Sequence, residues 1–523
     1  MYDELTAVAG FDTAALRWDA EAYPQRLWDG DPTVFSDDEV PELADRLGWL
    51  SLHDSMQERV PELASLAESL VADGILDVVV CGMGGSSLAP DVFSQVLGPR
   101  PSYPSVTVLD STHPRAVTNV ARAIDPERSA FVISSKSGTT LETLSFLRYF
   151  WNMTGGDGSR FIAVTDPGTS LAEMGNDRGF RAVIEAPSDV GGRYSALTPF
   201  GLVPAAIMGV DLGALLGSAR RLAADARGSE AAEDPAIAMG LAWAAHALNG
   251  HDKLTLRTSP GLTSFPGWIE QLVAESLGKN GRGIVPIAGE PLFDTYSYDR
   301  VFVDYVLAGE ELAPAPEDFP SVRFELGDGY DLAAEMLRAE AATAAAGEVL
   351  GVHPFNQPDV ERAKQLTRAA MSGEGSDDVV APVPVAGDTF RVRLERFLDQ
   401  IRPGDYLSLQ AYLAPEPDVD AAAGRFRRLV GERHQCATTF GYGPRFLHST
   451  GQLHKGGPPT GVFVQVVDRS EEAVAVPETD YTFNQVIAAQ ADGDYAALRE
   501  ADRRVLRVDV TDGGMEALLE ALG

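Results

Sequence analysis

The seven residues Ser134-Ser135-Lys136-Ser137-Gly138-Thr139-Thr140 include six with a side-chain hydroxyl or ammonium donor, and the seventh is glycine. They follow the apolar run Ala130-Phe131-Val132-Ile133 and precede a helical pattern over Leu141–Leu147. A turn where a buried strand gives way to a helix already presents unpaired backbone N–H groups and the positive end of a dipole. Five hydroxyls added to such a turn make a cage for a dianionic phosphate without a cluster of basic residues. A helix N-cap would need only one of them.

Four other stretches could carry chemistry. Gly82-Met83-Gly84-Gly85-Ser86-Ser87 follows an apolar strand and suggests either a dinucleotide fingerprint or a close backbone approach to a small ligand, with Ser86 as donor. Ser87 stands where the fingerprint wants glycine or alanine, although Asp110 could still serve as its ribose-binding acid. Gly191-Gly192-Arg193-Tyr194-Ser195 sets an arginine between two glycines and an apolar helix, as a fixed charge aimed into a cleft would be. Glu275 ends a helical run from Gly267, against the helix dipole, a placement that costs stability and suits a general base. His353-Pro354-Phe355-Asn356-Gln357-Pro358 leads into a helix carrying Lys364.

These residues need a scaffold, and the apolar pattern supplies one. Strands over Ile75–Val80, Val106–Asp110, Ala130–Ile133 and Phe161–Val164 alternate with helices, which predicts an α/β fold with a doubly wound parallel sheet. Ligands of such sheets sit beyond the carboxyl ends of the strands, where the glycine turn and the hydroxyl turn both fall. A second α/β unit runs from Lys253–Leu256 through the helix Trp268–Leu277, Ile284–Ile287 and Val301–Val303 to an alanine-rich helix over Leu332–Ala346. The intervening Gly213–Ala245 reads as a long helical stretch. Strands near Tyr406–Tyr412, Val462–Val467 and Val505–Val510 mark a third α/β pattern. The expected organisation is a helical N-terminal segment (1–75), two α/β domains (76–215 and 216–373), a Gly/Pro/Ser/Asp-rich linker (374–388) and an α/β extension (389–523) packing on the core.

Bulk properties narrow the function. A length of 523 residues allows about three domains, and 45% hydrophobic with 23% charged content is that of an ordinary globular protein. With 42 Lys plus Arg against 77 Asp plus Glu, the net charge of −35 repels nucleic acid and anionic membranes, so neither is an expected partner. It also repels a sugar phosphate at long range and leaves capture to local donors. Two cysteines, Cys81 and Cys436, argue against a disulfide framework and fit a reducing cytoplasm, with Cys81 inert in a strand. No apolar run reaches membrane-spanning length and no signal pattern opens the chain.

Taken in order, Gly84-Gly85-Ser86, Ser135–Thr140, Gly191–Ser195, Glu275–Lys279, Gly289-Glu290-Pro291 and Phe355–Lys364 resemble the phosphoglucose isomerase family over Val78–Leu366. The nearest pattern is the isomerase half of bacterial transaldolase fusions, here expected without a transaldolase domain. The resemblance implies two sugar-isomerase (SIS-type) domains and conversion of glucose 6-phosphate to fructose 6-phosphate through a cis-enediol(ate), with no metal or organic cofactor. It implies that Glu275 shuttles the proton between C2 and C1 and that Arg193 stabilises the enediolate. Ser135, Ser137, Thr140 and the backbone at Lys136 would hold the phosphate, Gly85, Ser86 and Gln357 the sugar, and Lys364 would assist ring opening or bind hydroxyls. A non-catalytic sugar-phosphate sensor, an isomerase that also takes mannose 6-phosphate, an amidotransferase-linked isomerase and a dehydrogenase are the alternatives. A sensor usually carries a basic DNA-reading segment, and the amidotransferase needs an N-terminal cysteine where this chain has Tyr2.

The family's ring-opening histidine follows Gly-Glu-Pro and usually reaches the neighbouring subunit. Here Leu292–Arg300 follows Pro291 and holds no histidine, which leaves Asp299, Arg300 or a histidine from elsewhere. The glycine-rich loop Gly443–Gly457 offers His448, His454 and Lys455, and His454 is the candidate chosen. The family implies a homodimer, but the missing histidine removes the feature that most directly requires one.

Overall fold

Alternate residues of the central strands face two different cores. In β1 (Asp77–Cys81), Val78 and Val80 join one apolar cluster while Val79 and Cys81 join another, and β3 (Ser129–Ser134) and β4 (Phe161–Thr165) divide in the same way. Strands buried on both faces read as continuous apolar runs, and that burial requires helices above and below a parallel sheet. The computed structural model describes residues 2–371, 380–469 and 472–522. Within it, β2 (Ser105–Leu109) and β5 (Ala182–Glu185) complete a parallel sheet in the order β2-β1-β3-β4-β5.

A second parallel sheet has the order β7-β6-β8-β9, formed by β6 (Lys253–Thr258), β7 (Val285–Ala288), β8 (Arg300–Leu307) and β9 (Ser321–Leu326). The third contains β10 (Val383–Pro384), β11 (Tyr406–Tyr412), β12 (Ala437–Tyr442), β13 (Gly461–Val467) and β14 (Arg504–Asp509), in the order β10-β14-β13-β11-β12. With the two-residue β10 set aside, each sheet is wound alike: the second strand lies outside the first, and the third and fourth lie on its other side. Each therefore has a switch point between its first and third strands, where a crevice opens beyond the carboxyl ends.

The Gly213–Ala245 stretch is two helices, Leu212–Ala226 and Ile237–Leu248, rather than one. Asp234 marks the restart, since its carboxylate accepts the backbone N–H groups of Ala236 and Ile237. Of the stretch read as a linker, 374–379 lies outside the described residues, while Val383–Pro384 pairs with β14 and the helix Gly387–Leu398 follows.

The N-terminal helices and both of the first two sheets share one apolar cluster, from Leu5 to Phe355. The third sheet has its own, and a further cluster of Val285 and Ile287 with Tyr406, Leu453 and Phe463 joins it to the second sheet. Val476 and Phe483 pack into the outer face of the first sheet, so the third region contacts both. Among the described residues no helix is long and apolar enough to cross a membrane.

Candidate active site

The hydroxyl turn leaves β3 at the switch point of the first sheet, opposite the glycine turn that leaves β1. Thr140 precedes the helix Leu141–Met153 but makes no side-chain cap. Its Oγ1 lies 2.9 Å from Ser135 Oγ instead, and Ser137 Oγ is 3.1 Å from Thr139 Oγ1. Ser134 Oγ is buried without a protein partner. Ser135, Ser137 and Thr140 line the cleft, as a cage needs and a cap does not. The Lys136 ammonium is held by Asp166 and by the Ser188 carbonyl at 3.4 Å.

Two glycines let the walls close. A Cβ at Gly85 would lie 1.9 Å from the Gly192 carbonyl oxygen, which brings the glycine turn against the Gly191–Ser195 segment. Gly84 has φ +56°, and a Cβ there would lie 2.8 Å from the His448 carbonyl oxygen.

Arg193 is 2% exposed and fixed by several acceptors. Nε donates to Ser276 Oγ at 2.8 Å, Nη1 to Gln357 Oε1 at 2.7 Å, and Nη2 to the Pro354 and Asn356 carbonyls at 2.9 Å each. Its Nη1 also stands 3.2 Å from Glu275 Oε1. Glu275 lies in the last turn of the helix Phe265–Leu277, where Arg193 offsets the unfavourable dipole end and Gln271 Nε2 donates to its Oε2 at 3.2 Å. A carboxylate and a guanidinium thus share one wall, each held in a single orientation.

These groups line a cavity of 620 Å³ together with Ser86, Gln357, Lys364 and His448. Gly85, Ser135, Lys136, Ser137, Thr140, Arg193 and Glu275 also line it, so the structure brings together every site residue expected from the sequence except His454. Lys364, in the helix Pro358–Met371, is 42% exposed at its side chain, with Glu361 4.0 Å away.

His454 is outside this cavity. It is buried between the rings of Phe446 and Phe463, with Nδ1 3.1 Å from Gln410 Nε2. Burial, reinforced by the Lys455 and Arg503 charges, holds it well below the usual imidazole range, so it is a neutral packing residue. Asp299 and Arg300 are also absent from the lining. Asp299 faces Lys253 at 3.3 Å, and Arg300 is locked to Glu290 at 2.7 Å and 3.0 Å.

The histidine that lines the cleft is His448. Its Nε2 is 2.9 Å from Glu142 Oε1, and the same oxygen accepts Gln490 Nε2 at 2.7 Å. Gln490 is fixed in turn by Thr112 Oγ1 at 2.7 Å. The His448 carbonyl accepts Gln271 Nε2 at 2.7 Å, which ties the His448 segment to the helix of Glu275. Glu142, Gln271 and Gln490 escaped the sequence reading. Only Glu142 gave a local signal, two residues beyond Thr140, and an acid in a first helical turn is ordinarily a dipole-stabilising surface residue.

Asp110 does not serve a ribose, because its carboxylate meets Arg445 Nη1 at 3.3 Å. Cys81 and Cys436 are free and buried, with burial pushing both thiols up, Cys436 to about 12. Among the described residues no group of three or more His, Cys, Asp or Glu is placed to hold a metal ion.

A profile described as phosphoglucose isomerase matches residues 51–285. A protein named glucose-6-phosphate isomerase from Rubrobacter xylanophilus is 29% identical over 397 residues, covering 64% of this chain and 91% of that protein. One named probable glucose-6-phosphate isomerase from Haloarcula marismortui is 30% identical over 349 residues, covering 58% of this chain and 79% of that protein. Among solved structures, a hypothetical protein from Thermus thermophilus superposes with a TM-score of 0.58 at 26% identity, covering 70% of this chain and 98% of its own. A glucose-6-phosphate isomerase from Chlamydia trachomatis shares the fold, with a TM-score of 0.56 at 19% identity, covering 76% of this chain and 89% of that one. With relatives of this kind matched over most of their length, the chain belongs to the phosphoglucose isomerase family.

Proposed function

We propose that this protein interconverts glucose 6-phosphate and fructose 6-phosphate, and that the cleft between the hydroxyl turn and Glu275 is where it does so. The observation that carries the reading is one cavity with a hydroxyl cage at one wall and an oriented carboxylate–guanidinium pair at another. A phosphate held by Ser135, Ser137, Thr140 and the Lys136 backbone leaves the sugar directed toward Gly85, Ser86 and Gln357. Glu275 then removes the C2 proton of the open-chain aldose while the carbonyl electrons move onto O1. Arg193 offsets the charge on the enediolate oxygens, where a preorganised cation in a largely buried site acts strongly. The same carboxylic acid returns its proton to C1 while the O2 proton passes to O1 and the C2 carbonyl forms, so the ketose results without a net change in oxidation state.

Ring opening needs a group that gives a proton to the ring oxygen while another takes the one on O1. We assign the first task to His448, oriented by Glu142, with Lys364 beside it. Because His448 comes from the same chain, the site needs no histidine from a neighbouring subunit.

Glu275→Gln keeps the shape and removes the base. Assayed for fructose 6-phosphate conversion, it should lose at least about 10²-fold in kcat, the usual contribution of a positioned base. Near-normal turnover would remove Glu275 from the mechanism.

A further inference from the structure

The third sheet is wound like the first, and its switch point also opens into a cavity. Tyr412 ends β11 and Val467 ends β13, and both line a space of 440 Å³. That volume is within the range of small-molecule sites. The floor is apolar, with Val467 and the helical pair Ile487 and Ala491. The far wall belongs to the first sheet's unit, where the helix Pro114–Ala123 begins and its positive dipole end favours an anion.

The charges in this cavity are unequally satisfied. Asp468 is engaged by His113 at 3.0 Å and by Arg115 at 3.4 Å, and Asp492 is taken by Arg507 at 2.6 Å. The basic groups keep donors in reserve. Arg507 lines the cavity, is only 8% exposed and meets one carboxylate, Asp492, through Nη2. Arg469 has a side chain 74% exposed, with one carboxylate, Asp509, at 3.3 Å. A guanidinium carries five N–H donors, more than a single carboxylate takes up. An edge of a planar guanidinium matches a carboxylate, and the apolar floor matches a hydrocarbon body. Among the described residues no turn rich in hydroxyls, such as the one after β3, lines this space to cage a dianionic phosphate.

We propose that this cavity is a second binding site, for a small organic monocarboxylate with an apolar body. The helix Phe483–Glu500 links it to the active site. Ile487 and Ala491 of that helix line the second cavity, while Gln490 reaches Glu142 and so the His448 dyad. Thr112, which fixes Gln490, directly precedes His113 in the cavity wall. A ligand whose hydrocarbon body is seated against Ile487 and Ala491 therefore bears on the orientation of Gln490.

Calorimetric titration of the full chain with hexanoate, without sugar phosphate, tests the site independently of the isomerase reading, on which only the coupling rests. Hexanoate should bind with a Kd below about 1 mM and hexanol should not. Arg507→Met should weaken hexanoate at least about tenfold by removing the carboxylate's partner. Ala488→Trp, at an exposed position on the cavity rim, should block it sterically. Ala488→Trp keeps the test decisive should Arg507→Met fail to fold. Both variants should keep wild-type isomerase activity when no carboxylate is present. In the isomerase assay hexanoate should shift the KM for fructose 6-phosphate by about fivefold in the wild type and not in the variants. No hexanoate binding, or equal binding by wild type and both variants, overturns the site. Binding that leaves KM unchanged overturns the coupling.

Discussion

At the scale of single residues, the His448–Glu142 pair is the most informative part of the cleft. Burial alone would raise the Glu142 carboxyl, but the His448 charge and hydrogen bond outweigh it and leave it below its ordinary 4.5. A carboxyl depressed in the folded state contributes stability above its unfolded value, and that contribution is lost as pH falls through the folded value. Glu142→Gln should therefore destabilise the protein by about 2 kcal/mol near neutral pH, as loss of a charge-assisted hydrogen bond does. The gap from wild type should narrow once pH drops below 4.5, which denaturant unfolding at several pH values would measure. A gap constant across that range would show that the pair is not ionic. The hydroxyl turn, Arg193 and Glu275 were legible in the sequence because each announces itself within a few neighbours. The choice between His448 and His454 was not. The two are six residues apart, His448 ending a 3-10 turn and His454 in the helix Gly451–Gly456, and which one faces the cleft is set by partners distant in the chain, Gln271 on the His448 carbonyl and Asp91 on Arg445 at 2.8 Å.

At the scale of elements, the site depends on how closely two turns approach. The 1.9 Å clash of a Cβ at Gly85 falls on backbone, which cannot rotate away as a side chain could. Gly85→Ala should push the Gly191–Ser195 segment off the glycine turn and displace Arg193 from Glu275. A shift of about 1 Å at reacting groups costs about 10²-fold in rate. Steady-state kinetics should show that loss mainly in kcat, while the phosphate turn, untouched, keeps KM within about threefold. A fall confined to KM would instead place Gly85 in ground-state binding alone. The central strands were readable because burial on both faces leaves an unbroken apolar run. Each strand that escaped the reading, β5, β9, β10 and β12, lies at a sheet edge. There one face alternates or the run is short, as in Ser321-Val322-Arg323-Phe324-Glu325-Leu326, and pairing with the inner strand supplies what the sequence pattern lacks.

At the scale of the whole molecule, charge and substrate are opposed. A net charge of −35 surrounds the cleft proposed to admit a dianion. The cage proposed to receive it consists largely of neutral hydroxyls, with the Lys136 ammonium already held by Asp166. Hydroxyl and backbone donors act only at contact, so they do not offset repulsion over the approach. Added salt shortens that repulsion from about 30 Å at 0.01 M to about 8 Å at 0.15 M. The KM for fructose 6-phosphate should therefore fall, by about threefold or more, as potassium chloride rises over that range, while kcat stays constant because the chemistry takes place inside the cleft. Chloride is the appropriate anion, since sulfate or phosphate would compete for the hydroxyl turn itself. The opposite result has a definite meaning. A KM that climbs with chloride would show that Arg193 and Lys364 attract the phosphate from a distance and that their local field prevails over the acidic surface. Lys364→Met separates the two cases: if hydroxyls make the capture, the variant keeps the downward slope of KM with salt, and if Lys364 makes it, the upward slope disappears.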